Sequence, residues 1–199
     1  MSIHLFKHNQ QAYRAVTAML EKEKMAAVIH PTGTGKSLIA FKLAEENPSK
    51  HFLWLSPSEY IYQTQLEKLN MKFPNIQFMS YSRLMKNEDS IETLHPDYII
   101  LDEFHRCGAQ EWGKSVRKLL DTYPNAKRLG LSATNIRYLD NQRNMAEEIF
   151  DGKIASEMTL GEAIVREILP EPKYVIAMYS YQKELEQLKK RIRTLSNQG

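Results

Sequence analysis

The chain has 199 residues, of which 42% are hydrophobic and 26% are charged, and its formal net charge is +3 at pH 7. This length accommodates one domain with a sizeable core and excludes two domains of ordinary size joined by a linker. The composition is that of a globular protein. The mildly basic charge is compatible with a polyanionic partner but does not establish one.

The sequence also limits covalent cross-links and membrane contact. Cys107 is the single cysteine, which excludes an intrachain disulfide and a metal site built from several cysteines. The N-terminal residues MSIHLFKHNQQ contain no apolar segment of the kind found in signal peptides, and no apolar run approaches the length that spans a bilayer. We therefore expect a reduced, cytoplasmic protein with no membrane partner.

Short apolar runs alternate along the chain with amphipathic segments. Runs that are apolar throughout are typical of strands in a parallel sheet whose two faces are both covered by helices. The pattern predicts an α/β fold of three layers with a doubly wound, mostly parallel sheet. The predicted strands are Met25–Ile29, His51–Leu55, Ile76–Met79, Tyr98–Leu101, Arg128–Leu131 and Tyr174–Met178, and the predicted helices are Gln11–Glu21, Lys36–Glu46, Glu59–Leu69, Gln110–Thr122 and Leu160–Ile168.

The C-terminal segment 181–195 is highly charged and carries one apolar stripe. Its apolar residues recur at spacings of four and three, which predicts an amphipathic helix. Two heptads are too few to indicate a coiled coil. We expect this helix to dock on its own domain or to lead toward another one, with a dimer interface as the alternative. The predicted domain therefore spans residues 1–178, followed by the charged helix within residues 179–199.

A glycine-rich loop, PTGTGKS, follows the first predicted strand and opens the next predicted helix. Gly33 and Gly35 allow backbone conformations in which successive N–H groups converge on phosphate oxygens, and the helix N-terminus adds partial positive charge. We expect Lys36 to reach the β- and γ-phosphates and the Ser37 hydroxyl to bind Mg²⁺. The predicted phosphate-binding residues are Thr32, Gly33, Thr34, Gly35, Lys36 and Ser37.

His30 stands where the usual phosphate-loop pattern has its first glycine. The amides that converge on phosphate belong to residues 33–37, downstream of this position. A histidine followed by Pro31 also favours an extended backbone, which suits the end of a strand. We interpret His30 as a side chain that fills space at the strand end, with a direct catalytic role as the alternative.

Two adjacent carboxylates, Asp102 and Glu103, follow the apolar run YIIL. Because the carboxyl ends of parallel strands meet at one edge of a sheet, we expect these carboxylates to lie near the phosphate loop. Asp102 is predicted to hold Mg²⁺ through water, and Glu103 to orient and deprotonate the attacking water.

A third motif, SAT, ends the following predicted strand at Ser132–Thr134. The motifs PTGTGKS, DEFH and SAT, in this order, resemble motifs I, II and III of superfamily 2 helicases and translocases, and DEFH resembles a variant of the DEAD/DEAH box. The resemblance covers residues 4–178. It implies an N-terminal RecA-like domain that binds ATP and Mg²⁺, in which Ser132 and Thr134 contact His105 and couple the acidic box to nucleic acid.

The resemblance also implies contacts to the nucleotide base and to nucleic acid. Asn9 stands at the position of the glutamine that reads adenine in the family, with Gln10 beside it, and either amide could pair with the base. The segments 55–61 and 79–84 resemble motifs Ia and Ib, whose hydroxyls suit phosphate contacts. The alternative is that these serines cap loops at strand ends. The candidate nucleic-acid contacts are Ser56, Ser58, Ser80 and Arg83.

Enzymes of this family have two RecA-like domains, and the second supplies arginines that stabilise the transferring phosphoryl group, an effect of about 10³ to 10⁵ in rate. No such arginine motif is found in this sequence, so we expect the chain to be one lobe of a larger nucleic-acid-dependent ATPase, weakly active alone. The likeness to DNA helicases and restriction-enzyme motor subunits favours DNA over RNA. The alternatives are a non-motor ATP-dependent switch and a small-molecule kinase, which the Asp102–Glu103 pair disfavours.

Overall fold

The computed structural model describes residues 2–109, 112–137 and 142–173, together with positions 181, 185, 186, 188, 189 and 192. The chain divides into two units, residues 1–169 and 170–199, and the fold below is that of the first. The predicted strand 174–178 lies outside the described residues. Of the predicted helix 181–195, positions 185, 186, 188, 189 and 192 are helical, and the other positions of that helix, apart from 181, lie outside the described part.

Strands and helices alternate along the first unit. The strands are β1 (Met25–Ile29), β2 (Phe52–Ser56), β3 (Ile76–Ser80), β4 (Tyr98–Asp102), β5 (Lys127–Ser132), β6 (Ile136–Arg137), β7 (Arg143–Asn144) and β8 (Ile154–Glu157). The helices are α1 (Lys7–Glu23), α2 (Ser37–Glu46), α3 (Glu59–Leu69), α4 (Tyr81–Lys86), α5 (Trp112–Thr122), α6 (Met145–Phe150) and α7 (Leu160–Val165), with 3₁₀ helices at Glu88–Thr93 and Phe104–Gly108. No helix within the described ranges is long and apolar enough to cross a membrane.

The predicted doubly wound α/β architecture is confirmed. Within the described residues the main sheet has six strands in the order β3-β2-β4-β5-β1-β8, and all of its neighbouring strands are parallel. The five predicted strands of this sheet agree with the observed bounds to within one residue at each end. A separate antiparallel ribbon joins β6 to β7.

Alternate residues of each strand face opposite sides of the sheet. In β1, Ala27 and Ile29 belong to a core cluster shared with α4, α5 and α6, whereas Ala26 and Val28 belong to a second cluster shared with α1 and α2. This period of two is the ordinary consequence of strand geometry. Because both faces are covered, β1, β2 and β4 are apolar except for the polar residue that ends β2 and β4, which is why the sequence revealed them.

The predictions omitted α4, α6 and the ribbon of β6 and β7, none of which exceeds six residues, and three further features differ from them. Strand β8 was missed because it is short, only partly buried and paired on the sheet edge beside β1. Helix α1 begins at Lys7, whereas the prediction began it at Gln11. The apolar periodicity did not reveal the first turn, because the buried residue of that turn is the polar Asn9. Helix α7 ends at Val165 rather than at Ile168, because Glu167 takes a left-handed backbone conformation with φ of 55°.

The strand registers bring the predicted motifs to one edge of the sheet. Strand β1 pairs with β5 so that Ile29 lies opposite Ser132, and β4 pairs with β5 so that Asp102 lies opposite Leu131. The phosphate loop after β1, the acidic pair at the end of β4 and the SAT motif at the end of β5 therefore emerge side by side.

Candidate active site

The phosphate loop folds back from β1 into the first turn of α2. Gly33 and Gly35 have φ angles of 92° and 77°, values that favour glycine because a Cβ atom is strained there. The Thr34 hydroxyl donates a hydrogen bond of 2.8 Å to the carbonyl oxygen of Pro31, which closes the loop on itself. The N–H of Leu38 then bonds to the carbonyl of Gly35 at 3.0 Å and begins the helical ladder. The loop thus has the backbone form that the motif requires.

Two side chains of α1, Asn9 and His8, form hydrogen bonds with carbonyl oxygens of the phosphate loop. The Asn9 amide nitrogen Nδ2 donates to the carbonyl oxygens of Thr34 at 2.9 Å and Gly35 at 3.2 Å. His8 Nε2 lies 2.8 Å from the same Thr34 oxygen and must be the donor, since a carbonyl only accepts. Asn9 is 0% exposed, and its Oδ1 atom has no hydrogen-bond partner within the described part of the chain. Its carboxamide therefore retains one buried acceptor beside the loop.

Gln10, the other candidate for base recognition, lies on the exposed face of α1. Its Nε2 atom donates to the carbonyl oxygen of Leu5 at 3.0 Å. The structure therefore separates the two amides, with Asn9 against the phosphate loop and Gln10 turned to the surface.

The acidic pair has an unusual backbone. Asp102 ends β4 and is buried, and its carbonyl oxygen accepts a hydrogen bond of 2.8 Å from the Tyr81 hydroxyl. Glu103 takes the left-handed conformation, with φ of 53°, which for a residue other than glycine costs about 1–3 kcal/mol. Such strain is characteristic of functional sites, and here it accompanies a Glu103 side chain that approaches the phosphate loop.

Lys36 of the phosphate loop approaches the Glu103 carboxylate and acts electrostatically on Asp102. Its Nζ atom lies 3.7 Å from Glu103 Oε1, and its side chain is nearly buried. Burial, reinforced by the neighbouring Glu103 carboxylate, raises the pKa of Asp102 to about 6, while the positive charge of Lys36 opposes this rise. A buried carboxylate with a raised pKa is a group whose charged form would be stabilised by a cation.

A cleft of about 470 Å³ lies between the phosphate loop, the acidic pair and α3. No cluster of three or more His, Cys, Asp or Glu side chains in the described ranges could hold a metal by protein ligands alone. Ser37 and Asp102, which both line the cleft, are oxygen donors of the kind that Mg²⁺ binds one or two at a time, together with phosphates and water. The cleft is lined by Thr32, Gly33, Gly35, Lys36, Ser37, Leu38, Phe41, Ile61, Gln65, Lys68, Leu69, Asp102 and Glu103.

His105 and the SAT motif meet in a hydrogen-bonded group. His105 Nδ1 lies 2.8 Å from Ser132 Oγ and 3.4 Å from Glu103 Oε2. The Ser132 hydroxyl donates to the Thr134 carbonyl at 2.6 Å, so its oxygen accepts from His105 and the Nδ1 atom carries the proton. Burial lowers the pKa of His105, and the Glu103 carboxylate opposes this shift.

His30 is buried between β1 and β8. Its Nε2 atom lies 2.8 Å from Ser156 Oγ, and its backbone N–H donates to the carbonyl of Ser132 at 3.0 Å. Burial, followed by the positive charges of His8, Lys36 and Arg166, lowers its pKa to about 4. A neutral, buried imidazole bonded to a neighbouring strand agrees with the interpretation of His30 as a packing residue.

The serines predicted to contact nucleic acid form local hydrogen bonds. Ser56 is 0% exposed and donates to the Ser58 carbonyl at 2.7 Å, so its side chain offers no surface to a ligand. Ser58 and Ser80 cap α3 and α4 by accepting from backbone N–H groups. Arg83 is exposed and lies 3.4 Å from Glu59. The surface members of the set are therefore Ser58, Ser80 and Arg83.

Sequence reasoning missed two residues beside the cleft. Phe6, just before α1, is 60% exposed and stacks on His8 with a centroid distance of 5.8 Å, and a Cβ atom on Gly35 would lie 3.5 Å from its ring. Gln65 of α3 donates from Nε2 to Ser37 Oγ at 3.2 Å. A lone aromatic residue and a glutamine in a helix carry no motif, so only their spatial position reveals them.

The chain matches the model of a known family. The model of the family described as type III restriction enzyme, res subunit, matches residues 2–75 and 67–137 of this chain. No curated protein matches the chain.

Several solved structures share the fold at low identity. The type ISP restriction-modification enzyme LlaBIII, described as ATP-dependent and bound to DNA, is 19% identical with a TM-score of 0.60, and the match covers 83% of this chain and 16% of that one. The Hef helicase domain of Pyrococcus furiosus is 16% identical with a TM-score of 0.58, covering 98% and 50%. The DUF1998 helicase MrfA bound to DNA is 18% identical with a TM-score of 0.53, covering 77% and 27%. The domain thus has the RecA-like fold of these helicases, and the chain spans half or less of each of them.

Proposed function

The chain belongs to the family of type III restriction enzyme res subunits, a branch of the superfamily 2 helicases, and from this premise we propose that it is the ATP-binding lobe of a nucleic-acid-dependent ATPase. One observation carries the proposal. Lys36 Nζ and Glu103 Oε1, which come from motifs far apart in sequence, lie 3.7 Å apart in the cleft that Ser37 and Asp102 also line. A lysine for phosphate and a carboxylate for water in one cleft are two of the groups that ATP hydrolysis uses.

The residues of the cleft fit ATP and Mg²⁺. The loop around Gly33 and Gly35 presents backbone N–H groups to the β- and γ-phosphates, and Lys36 adds a positive charge. Ser37 and Asp102 supply a hydroxyl and a carboxylate oxygen for Mg²⁺, which when bound neutralises charge on the phosphates. Glu103 orients the attacking water and accepts its proton.

Asn9 and Phe6 form the base site in this proposal. Asn9 is 0% exposed, so base binding in this proposal includes a side-chain movement that opens its unpartnered Oδ1 to the exocyclic amino group of adenine, from which this atom accepts a hydrogen bond, while Nδ2 stays on the phosphate loop. The exposed ring of Phe6 offers a stacking surface next to the loop. Recognition of adenine thereby depends on the same side chain that holds the loop.

The nucleic acid is proposed to be DNA, contacted on its backbone by Ser58, Ser80 and Arg83. The match to a restriction-subunit family and the fold shared with two proteins described as bound to DNA support this choice. A second RecA-like domain is proposed to supply the arginines that complete hydrolysis. His105, Ser132 and Thr134 are proposed to couple the acidic box to the bound strand.

The test is ATP turnover by the complete protein and by this chain, each with single-stranded DNA, duplex DNA and RNA, alongside Lys36→Ala and Glu103→Gln. We expect DNA to stimulate the complete protein, both variants to lose turnover, and Glu103→Gln to retain nucleotide binding. Turnover that is indifferent to every nucleic acid would favour an ATP-dependent switch instead. Stimulation by RNA alone would contradict the assignment of DNA.

A further inference from the structure

Gln65 joins α3 to the predicted Mg²⁺ ligand. Its Nε2 atom donates a hydrogen bond of 3.2 Å to Ser37 Oγ, and its side chain lines the same cleft as Lys36 and Asp102. Within α3, Gln65 shares one helix face with Ile61, Lys68 and Leu69, since these positions are four, three and four residues away. Gln65 therefore projects from a regular helix into the cleft at the position of the hydroxyl.

The other half of this carboxamide is unsatisfied. Gln65 Oε1 is buried and makes no hydrogen bond with any residue in the described part of the chain. A buried acceptor without a donor is costly, so such atoms are rare unless water or a ligand completes them. The nearby carboxylates of Asp102 and Glu103 are themselves acceptors when ionised and cannot satisfy it. Water or a ligand group that donates a hydrogen bond from within the cleft would satisfy it.

Water bound to a divalent cation is a donor of that kind. Mg²⁺ keeps several of its water molecules when it binds to proteins, and these waters donate hydrogen bonds to nearby oxygens. The hydroxyl oxygen of Ser37 has two lone pairs. With one lone pair occupied by Gln65 Nε2, the second is left for the cation.

We propose that Gln65 is a positioning residue for the Mg²⁺ of this site, through the hydrogen bond of its Nε2 to Ser37 Oγ and through acceptance by its Oε1 of a hydrogen bond from cation-bound water. The inference rests on the proposed function, which assigns Ser37 and Asp102 to Mg²⁺. It adds a residue of α3 that belongs to neither the phosphate loop nor the acidic box. The role is indirect, because Gln65 acts through Ser37 and through water.

The test measures binding of a fluorescent ATP analogue to this chain at a series of Mg²⁺ concentrations and in EDTA. Gln65→Leu has a similar size and removes both polar groups. We expect it to reduce the strengthening of nucleotide binding by Mg²⁺ by about tenfold, since groups that hydrogen-bond to metal ligands typically change metal affinity by that order. Binding in EDTA should stay unchanged. Gln63→Leu, on the exposed side of the same helix, is the matched control and should behave as the wild type.

A double-mutant cycle with Ser37→Ala separates positioning from packing. If Gln65 acts through Ser37, then Gln65→Leu should have much less effect on the Mg²⁺ dependence in the Ser37→Ala background than in the wild type. Gln65→Asn, which keeps the polar group but shortens it, should shift the Mg²⁺ dependence in the same direction and serves as the second variant if Gln65→Leu does not fold.

The outcomes distinguish the two proposals. A Gln65 variant with the Mg²⁺ dependence of the wild type, or one that weakens binding equally with and without Mg²⁺, overturns the role of Gln65 and leaves the proposed function standing. A wild-type chain that binds no ATP analogue at any Mg²⁺ concentration overturns the proposed function itself.

Discussion

His105 donates from Nδ1 to Ser132 Oγ across 2.8 Å, and so connects the acidic box to a residue 27 positions later in the chain. The connection continues in both directions, since His105 lies 3.4 Å from Glu103 and Ser132 donates to the Thr134 carbonyl. A displacement of the SAT turn would therefore move His105 and, through it, the surroundings of the Glu103 carboxylate that is proposed to activate water.

Ser132→Ala is expected to destabilise the domain. The substitution leaves the His105 N–H and the backbone of Thr134 without the hydroxyl they share, and such a loss in a buried place costs about 1–3 kcal/mol of the free energy of unfolding. Urea denaturation of the two proteins measures the difference. Thr122→Ala removes an exposed hydroxyl bonded to Lys118 and should change stability by less than about 0.5 kcal/mol. A Ser132→Ala protein as stable as this control would contradict the proposed arrangement.

Asn9→Ala is expected to reduce the preference for ATP over GTP. In the proposed base site Asn9 Oδ1 accepts from the amino group of adenine, whereas guanine has an oxygen at that position and cannot donate. Loss of one such hydrogen bond corresponds to about 1 kcal/mol, or roughly fivefold in relative affinity. Competition between the two nucleotides measures the ratio. Gln10→Ala, which removes an exposed amide, is the control, and a change in the ratio there but not in Asn9→Ala would reassign the base contact to Gln10.

The sheet was predictable because strands buried on both faces read as continuous apolar runs, as YIIL before Asp102 does. The edge strand β8 escaped because it has only four residues, two of them polar, and is only partly buried. The meeting of the phosphate loop and the acidic pair was predictable, because each follows a strand of a parallel sheet and the carboxyl ends of such strands share one edge. The contact of Gln65 with Ser37 was not, since a glutamine on a helix gives no local signal. For Ser58 and Ser80 the sequence predicts a hydroxyl at the start of a helix but not its role, because a helix cap and a phosphate contact both use a serine hydroxyl there.

Gly130→Ala is expected to overpack the core beside the acidic box. A Cβ atom at Gly130 of β5 would lie 2.4 Å from Phe150 and 2.9 Å from Phe104, distances at which the rings must move. Overpacking of this kind costs about 1–3 kcal/mol of the free energy of unfolding. Thermal or urea denaturation measures the loss.

Gly161→Ala is the matched control for this prediction. Gly161 lies in α7, and its added Cβ atom would meet only Thr159 Oγ1 at 4.0 Å. Alanine should stabilise the helix there by roughly 0.5–1 kcal/mol, because glycine loses more backbone entropy on folding. Equal effects at the two glycines would show that packing against Phe150 does not limit position 130.

His30 is expected to destabilise the fold as the pH falls from about 6.5 to 4. Its pKa is about 4 in the folded protein, against an ordinary value near 6.5 in the unfolded chain. Between these values the unfolded state binds the proton and the folded state does not, so the stability present above pH 6.5 is lost as the pH falls. The difference amounts to about 3 kcal/mol at pH 4.

The measurement is the free energy of unfolding of the wild type and of His30→Gln across this pH range. Glutamine does not titrate, and it keeps a polar group that can reach Ser156, so the variant should lose about 3 kcal/mol less than the wild type between pH 6.5 and 4. Asp102 titrates in the same range, but it does so in both proteins and cancels in the comparison. His4→Gln, at an exposed histidine, is the control for the substitution itself. Parallel profiles for His30→Gln and the wild type would mean that His30 takes up its proton in the folded protein as readily as in the unfolded chain.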